Sequence, residues 1–294
     1  MSADRVPALE VTGLTHGFGG RRALDGCSFT VPEGAVTALV GRNGAGKSTL
    51  MRAAAGLMQP DGGAVRVFGN PAGDATLTRI GYVAQQPSLY PMLTVAQTLA
   101  LGHRLNPRWD TAYAHRLADN AAMPTRARVG ALAPGHRTRL ALIMALAKRP
   151  GLLLLDEPLA PLDPVARAEV TGILMADVAD HGTTVLLSSH VIADIEGVCD
   201  HVVVMTGGQV RLATEVAPAL DQHLVVVGAG NELDALGDTE IVTARTAGRD
   251  VTALVRAAEP LPDGVLAWHR PTLEELLLGY LRVAGPESPR KVTT

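Results

Sequence analysis

Over roughly its first 215 residues the chain alternates short, mainly apolar runs with longer segments of helical character. Val36–Val40 stops at Gly41, and Leu152–Leu155 and Thr184–Leu187 have the same character. Compact runs of this kind predict strands buried on both faces of a parallel sheet. Lys47–Ala55 reads as a helix stopped by Gly56. Asp61-Gly62-Gly63 marks a turn into a strand over Ala64–Phe68. Asp163-Pro164 has the form of a helix N-cap followed by proline at the first helical position, and this helix runs to about Asp180, before His181-Gly182. A further helix is predicted from about Val191 to Val198. His201–Met205 and Gln209–Leu212 form a hairpin around Gly207-Gly208. The alternation predicts an α/β fold with a mainly parallel sheet and helices on its faces.

Two stretches break the alternation. Residues from about 87 to 135 have helical composition and no buried-strand run, which predicts a helical insertion. Beyond about Thr214, the short strands Leu224–Val227, Ile241–Ala244 and Val251–Val255 lead to an amphipathic helix over Thr272–Leu281. The expected plan is a domain over 1–215, a small α+β accessory domain over 216–284 and a frayed polar tail over 285–294.

Composition narrows the class. Apolar residues make up 47% and charged residues 19% of the 294, as in an ordinary globular protein, and wholesale disorder is excluded. A net charge of −3 gives no general pull toward nucleic acid or anionic lipid. Met1–Leu9 has no apolar signal core, and runs such as Leu140–Ala147 fall short of the roughly 18–20 residues of a membrane span. The expectation is therefore a soluble chain that reaches a membrane only through a partner. Cys27 and Cys199 form neither a metal cluster nor a disulfide framework, and both are expected to be small buried hydrophobes.

The strongest chemical signal is Gly41-Arg42-Asn43-Gly44-Ala45-Gly46-Lys47-Ser48-Thr49, a complete G-x-x-x-x-G-K-[ST] phosphate loop between a predicted strand and a predicted helix. Glycines let backbone N–H groups curl around phosphate oxygens, and the helix N-terminus adds positive potential. Lys47 places a point charge on the β- and γ-phosphates of ATP, and the Ser48 hydroxyl suits Mg²⁺. At the end of the Leu152–Leu155 strand stand Asp156 and Glu157, where ligands sit in such sheets. Asp156 is expected to hold Mg²⁺ through its water shell and Glu157 to polarise the attacking water. Strand alternation would aim them in different directions.

With these motifs in place, residues 5–215 or so resemble the ATP-binding cassette family. Asp163 in Leu159-Ala160-Pro161-Leu162-Asp163-Pro164 is similar to its D-loop, and His190 after Leu187-Ser188-Ser189 to its switch histidine. Gln85 in Gly81-Tyr82-Val83-Ala84-Gln85 is similar to its Q-loop glutamine, with Gln86 beside it. Phe18 stands where an aromatic residue usually stacks on adenine. The resemblance implies a P-loop NTPase fold with an antiparallel β subdomain. It also implies ATP and Mg²⁺ as cofactors, with Ser48, Gln85 and Asp156 on the metal and Glu157, His190 and Gln85 in catalysis. Two cassettes would close head-to-tail.

Leu132-Ala133-Pro134-Gly135-His136-Arg137 occupies the position of the family's signature loop but departs from it. The signature serine is Ala133, without a hydroxyl, and the first glycine is Pro134, without an N–H. In the family this loop begins a helix and caps the γ-phosphate held by the opposite subunit. The departure leaves two arrangements open, a homodimer with slow sites or a heterodimer with an intact cassette subunit. One cassette without a membrane segment resembles a subunit of a multi-chain transporter with a separate integral membrane permease, placed at the cytoplasmic face of the cell membrane. The appendage ending in Pro271-Thr272-Leu273-Glu274-Glu275-Leu276 is similar to that of drug- and peptide-export ATPases. The alternative is a soluble cassette ATPase acting on ribosomes or DNA. Against it stand the single cassette and a pI near 6.3. A small-molecule kinase would leave Gln85, Asp163 and His190 unexplained.

Overall fold

The computed structural model describes residues 6–229, 236, 239–248, 250–257 and 267–283. The expected tail over 285–294 lies outside them.

In chain order the elements begin with β1 (Leu9–Phe18), β2 (Arg21–Val31), β3 (Val36–Gly41), α1 (Lys47–Ala54), β4 (Gly62–Val67), β5 (Asn70–Pro71) and β6 (Ile80–Val83). Then come α2 (Val95–Leu105), α3 (Thr111–Asn120), α4 (Pro134–Ala147), β7 (Leu152–Asp156), α5 (Pro164–His181) and β8 (Thr184–Ser189). The described chain continues with β9 (His201–Thr206), β10 (Gln209–Glu215), α6 (Val216–Asp221), β11 (His223–Ala229), β12 (Glu240–Ala247), β13 (Asp250–Arg256), β14 (Ala267–His269) and α7 (Leu273–Arg282).

The central sheet has the order β10-β9-β3-β8-β7-β6, parallel except for β10. Every residue of β3, β7 and β8 is buried, as the compact apolar runs predict. Their alternate side chains serve two cores. Leu152 and Leu154 join Leu50 and Met51 of α1 on one face. Leu153 and Leu155 join Leu142 and Leu146 of α4 and Leu174 of α5 on the other. A second sheet, β2-β1-β4-β5, is antiparallel and packs on the α1 side.

The insertion carries α2 and α3. Thr94 and Gln97 form a capping box on α2, and Asp110 caps α3 through Tyr113 N. A buried polar knot ties α3 to α5: Tyr113 Oη donates to Asp177 at 2.9 Å, Thr183 Oγ1 donates to it at 2.6 Å, and Arg149 bridges Asp177 and Asp110.

The helix expected over Val191–Val198 is absent. Only one 3-10 turn forms, Ile192–Asp194, and Gly197 takes a left-handed φ of 71°. The Ser189 hydroxyl competes for this segment, donating to Val191 O and accepting from Val191 N. Local side-chain bonding of this kind offers the backbone an alternative to helix.

The three strands predicted beyond residue 215 form β11, β12 and β13, and with an unpredicted β14 they pair in the order β12-β13-β11-β14. A capping box between Thr272 and Glu275 starts α7. Leu276, Leu277 and Tyr280 of α7 share the main core with Val202 and Val204 of β9. At the join, buried His223 bonds Tyr280 Oη at 2.8 Å and Ala219 O at 2.7 Å. Cys27 is buried as expected, whereas Cys199 is only partly buried against the main core. Burial raises the Cys27 thiol, which donates to Gly208 O, and pushes Cys199 up to about 12.

Candidate functional site

β3 ends at Gly41 and α1 begins at Lys47, so the glycine-rich segment links a buried strand to a helix N-terminus. Side chains are excluded at both ends of the loop. A Cβ on Gly41 would lie 2.7 Å from Met205 O. Gly46 has φ 103°, and a Cβ there would collide with the Ala23 carbonyl.

Lys47 is 6% exposed. Its Nζ donates to Gly41 O at 2.6 Å and lies 3.1 Å from Glu157 Oε1. The other carboxylate oxygen of Glu157 is 2.6 Å from His190 Nδ1. Lysine, glutamate and histidine thus form one linked chain of contacts at the C-terminal end of β3, β7 and β8. Burial strengthens the Lys47–Glu157 link, because less water screens it.

The two carboxylates do diverge, but strand alternation is not the cause. β7 ends at Asp156, and Glu157 has already turned to φ 53°, the left-handed region. A non-glycine residue held there costs of order 1 kcal/mol or more, and such positions gather at functional sites. Ser188 stabilises the turn. Its Oγ donates to Asp156 Oδ1 at 2.9 Å and accepts from Glu157 N at 2.9 Å. Sequence reasoning missed Ser188, because its role depends on the parallel register that pairs it with Asp156 across β7 and β8.

One cleft of about 540 Å³ collects Phe18, Asn43, Gly44, Ala45, Gly46, Lys47, Ser48, Thr49, Gln85 and Glu157. Gln85, and not Gln86, lines it, two residues past the end of β6. Phe18 is 53% exposed and packs edge-on against His16 at 4.6 Å, leaving ring surface open at the rim. Arg21 and Arg42 also line this cleft, and neither was among the expected site residues. Arg42 lies inside the motif at a position the pattern leaves free. Arg21 comes from the strand after Phe18.

Gly41, Asp156, Asp163, His190, Ala133, Pro134, Gly135 and His136 do not line this cleft, although Gly41 and His190 line a neighbouring one. Asp163 caps α5: its Oδ1 accepts from Ala166 N at 2.9 Å, and that bond holds its carboxyl below the usual value. The loop over Ala133–His136 begins α4 as expected. Ala133 is the N-cap without a side-chain bond, Pro134 is the first helical residue, and Arg137 Nε donates to Leu132 O.

Among the described residues no helix is long and apolar enough to cross a membrane, and no three acidic, histidine or cysteine side chains cluster as a metal site.

Residues 24–160, which include the phosphate loop, Asp156 and Glu157, match the family described as ABC transporter. The chain is 37% identical over 210 residues to the aliphatic sulfonates import ATP-binding protein SsuB 2 of Agrobacterium fabrum, covering 71% of this chain and 80% of that protein. It is 35% identical to the nickel import ATP-binding protein NikO of Rhodobacter capsulatus, covering 73% of this chain and 92% of that one. A solved ATP-binding subunit of an ABC transporter superposes with a TM-score of 0.65 at 28% identity, over 73% of this chain and 92% of its own.

Proposed function

Because this chain belongs to the ABC transporter family and is an ATP-binding ATPase of it, we propose that it drives a separate integral membrane permease, in the direction of export. The observation that carries the proposal is the Lys47–Glu157–His190 chain beside the phosphate loop.

Each member of that chain has a task. Backbone N–H groups from Asn43 to Thr49, with Gly41 shaping the turn, receive the phosphates of ATP. Lys47 adds its charge. Glu157, gripped by two cationic-capable partners, orients the attacking water, and His190 meets the charge that develops on the transferred phosphoryl group. Gln85 reports the state of the cleft to the helical insertion over about 87–135. Phe18 stacks on the base. Ser48 and Gln85, which line the cleft, and Asp156, whose Oδ1 accepts from Ser188 Oγ at the end of β7, offer oxygen donors of the kind that would hold Mg²⁺. That ion, when bound, neutralises phosphate charge.

The working unit is a dimer with a second cassette subunit, in which Ala133, Pro134, Gly135 and His136 approach the partner's nucleotide and Asp163 lies at the join. Residues 1–215 are the cassette and 216–284 an accessory domain. The assembly sits on the cytoplasmic face of the membrane and does not use nucleic acid. The appendage supports export. The import names of the sulfonate and nickel relatives favour a second reading, import.

The test is reconstitution with the permease that co-purifies from detergent-solubilised membranes. Export requires ATP-dependent movement of solute away from the side holding this chain. Movement toward that side establishes import, and ribosome or DNA co-sedimentation without a permease overturns transport.

A further inference from the structure

The end of α7 shares a cleft with the phosphate loop. A second cleft, of about 1000 Å³, has Gly41–Ala45 and His190 on one side and Leu278, Leu281 and Arg282 of α7 on the other. Its cationic side chains are Arg21, Arg42 and Arg282, and no aspartate or glutamate lines it among the described residues. None of the three guanidiniums is ion-paired with another described residue. Arg21 and Arg42 line the nucleotide cleft as well, so the two clefts are continuous around the loop.

A basic residue in the last turn of a helix offsets the helix dipole, and that local role accounts for any arginine at this position. It does not account for the company Arg282 keeps. α7 is held in place by Leu276, Leu277 and Tyr280 in the main core and by the His223–Tyr280 bond. A fixed helix therefore delivers a charge to the rim of the site that receives the most highly charged ligand of the reaction. All three arginines are exposed, and the acid of the adjoining cleft, Glu157, is already engaged by Lys47 and His190, so the arginines are left matched to an anion.

We propose that Arg282 is a positioning residue of the nucleotide site, through which the C-terminal appendage favours the triphosphate over the diphosphate. The proposal rests on the ATP-site reading above. Arg282 acts through space on the terminal phosphate, together with Arg21 and Arg42.

The test measures equilibrium binding of MgATP and MgADP to the full chain as wild type, Arg282→Glu, Arg282→Gln and Arg282→Lys. Reversing one partly screened charge is expected to weaken ATP about three- to tenfold and ADP less, with the gap shrinking in high salt. Arg282→Lys keeps the wild-type preference, and Arg282→Gln falls between and serves if the reversal does not fold. Equal ATP affinity in wild type and the folded variants overturns the proposal. So does an equal, salt-independent loss for ATP and ADP, which would mark a merely structural role. A wild-type chain that binds no ATP is a different failure, of the ATP site itself.

Discussion

Two loops of this chain start helices, one at Lys47 and one at Pro134, and they are equipped in opposite ways. The loop before α1 has glycines wherever the backbone must turn or approach closely, and its lysine is buried against Gly41 O and Glu157. The loop before α4 begins with Ala133, which makes no cap, and Pro134, which has no N–H. Both helices keep the positive potential of their N-termini. Only the first adds discrete donors and a side-chain charge. The comparison teaches that two helix N-termini with the same dipole can be equipped very differently, one with a buried lysine and close-turning glycines, the other with a capless alanine and a proline.

The sharpest way to break the comparison is at Lys47. Lys47→Ala is expected to abolish ATP binding, read as loss of the thermal shift that saturating ATP gives the wild type. At a hundredfold excess over Kd that shift corresponds to about 2.7 kcal/mol. A variant still shifted by ATP would mean that Lys47 is not the phosphate ligand. Next in size, Glu157→Gln is expected to lower turnover by about 10²- to 10⁴-fold, the usual contribution of a general base, while ATP still binds. Turnover equal to the wild type removes Glu157 from catalysis.

At the weaker loop the sign reverses. Ala133→Ser restores a hydroxyl both to the cap of α4 and to the phosphate of the opposite subunit. A hydrogen bond to a charged group contributes about 1.5–3 kcal/mol, so a homodimer should gain about ten- to a hundredfold in ATPase rate. The same change should stabilise the fold by about 1 kcal/mol through the cap. A gain in stability without a gain in rate points to a heterodimer whose partner supplies the intact loop.

The smallest expected effect involves neither loop's own residues and tests whether acid sensitivity belongs to the site or to the appendage. Burial first of all holds the His223 imidazole below its ordinary 6.5, although its bond to Ala219 O opposes this. Arg256 lowers it further and Glu240 raises it. The unfolded chain therefore binds a proton that the folded one resists. Stability is full above 6.5 and declines as pH falls toward the lower folded value. Thermal melting from about pH 7.5 to about pH 5.5 should show this loss, and His223→Gln should flatten it. An unchanged slope places the titration elsewhere.

Much of this was legible along the chain. Compact apolar runs marked β3, β7 and β8, because a strand buried on both faces has no polar alternation. The G-x-x-x-x-G-K-S spacing marked the phosphate loop, because only glycine passes the Met205 and Ala23 carbonyls. Asp163-Pro164 marked the start of α5. All are local: the residues that matter are neighbours in the chain.

What only the tertiary structure decided is set by register and by contact between distant segments. Ser188 holds Asp156 and the turn at Glu157 because β7 and β8 pair in one register, which no local pattern encodes. The Val191–Val198 segment has helical composition, yet its backbone is taken by the Ser189 hydroxyl and its end is turned by Gly197. Arg282 lines a cleft with the phosphate loop only because α7 packs onto β9. Local propensity and motif spacing are written in neighbouring residues. Which side chains meet across the sheet depends on how the buried faces pack, and that is a property of the whole folded chain.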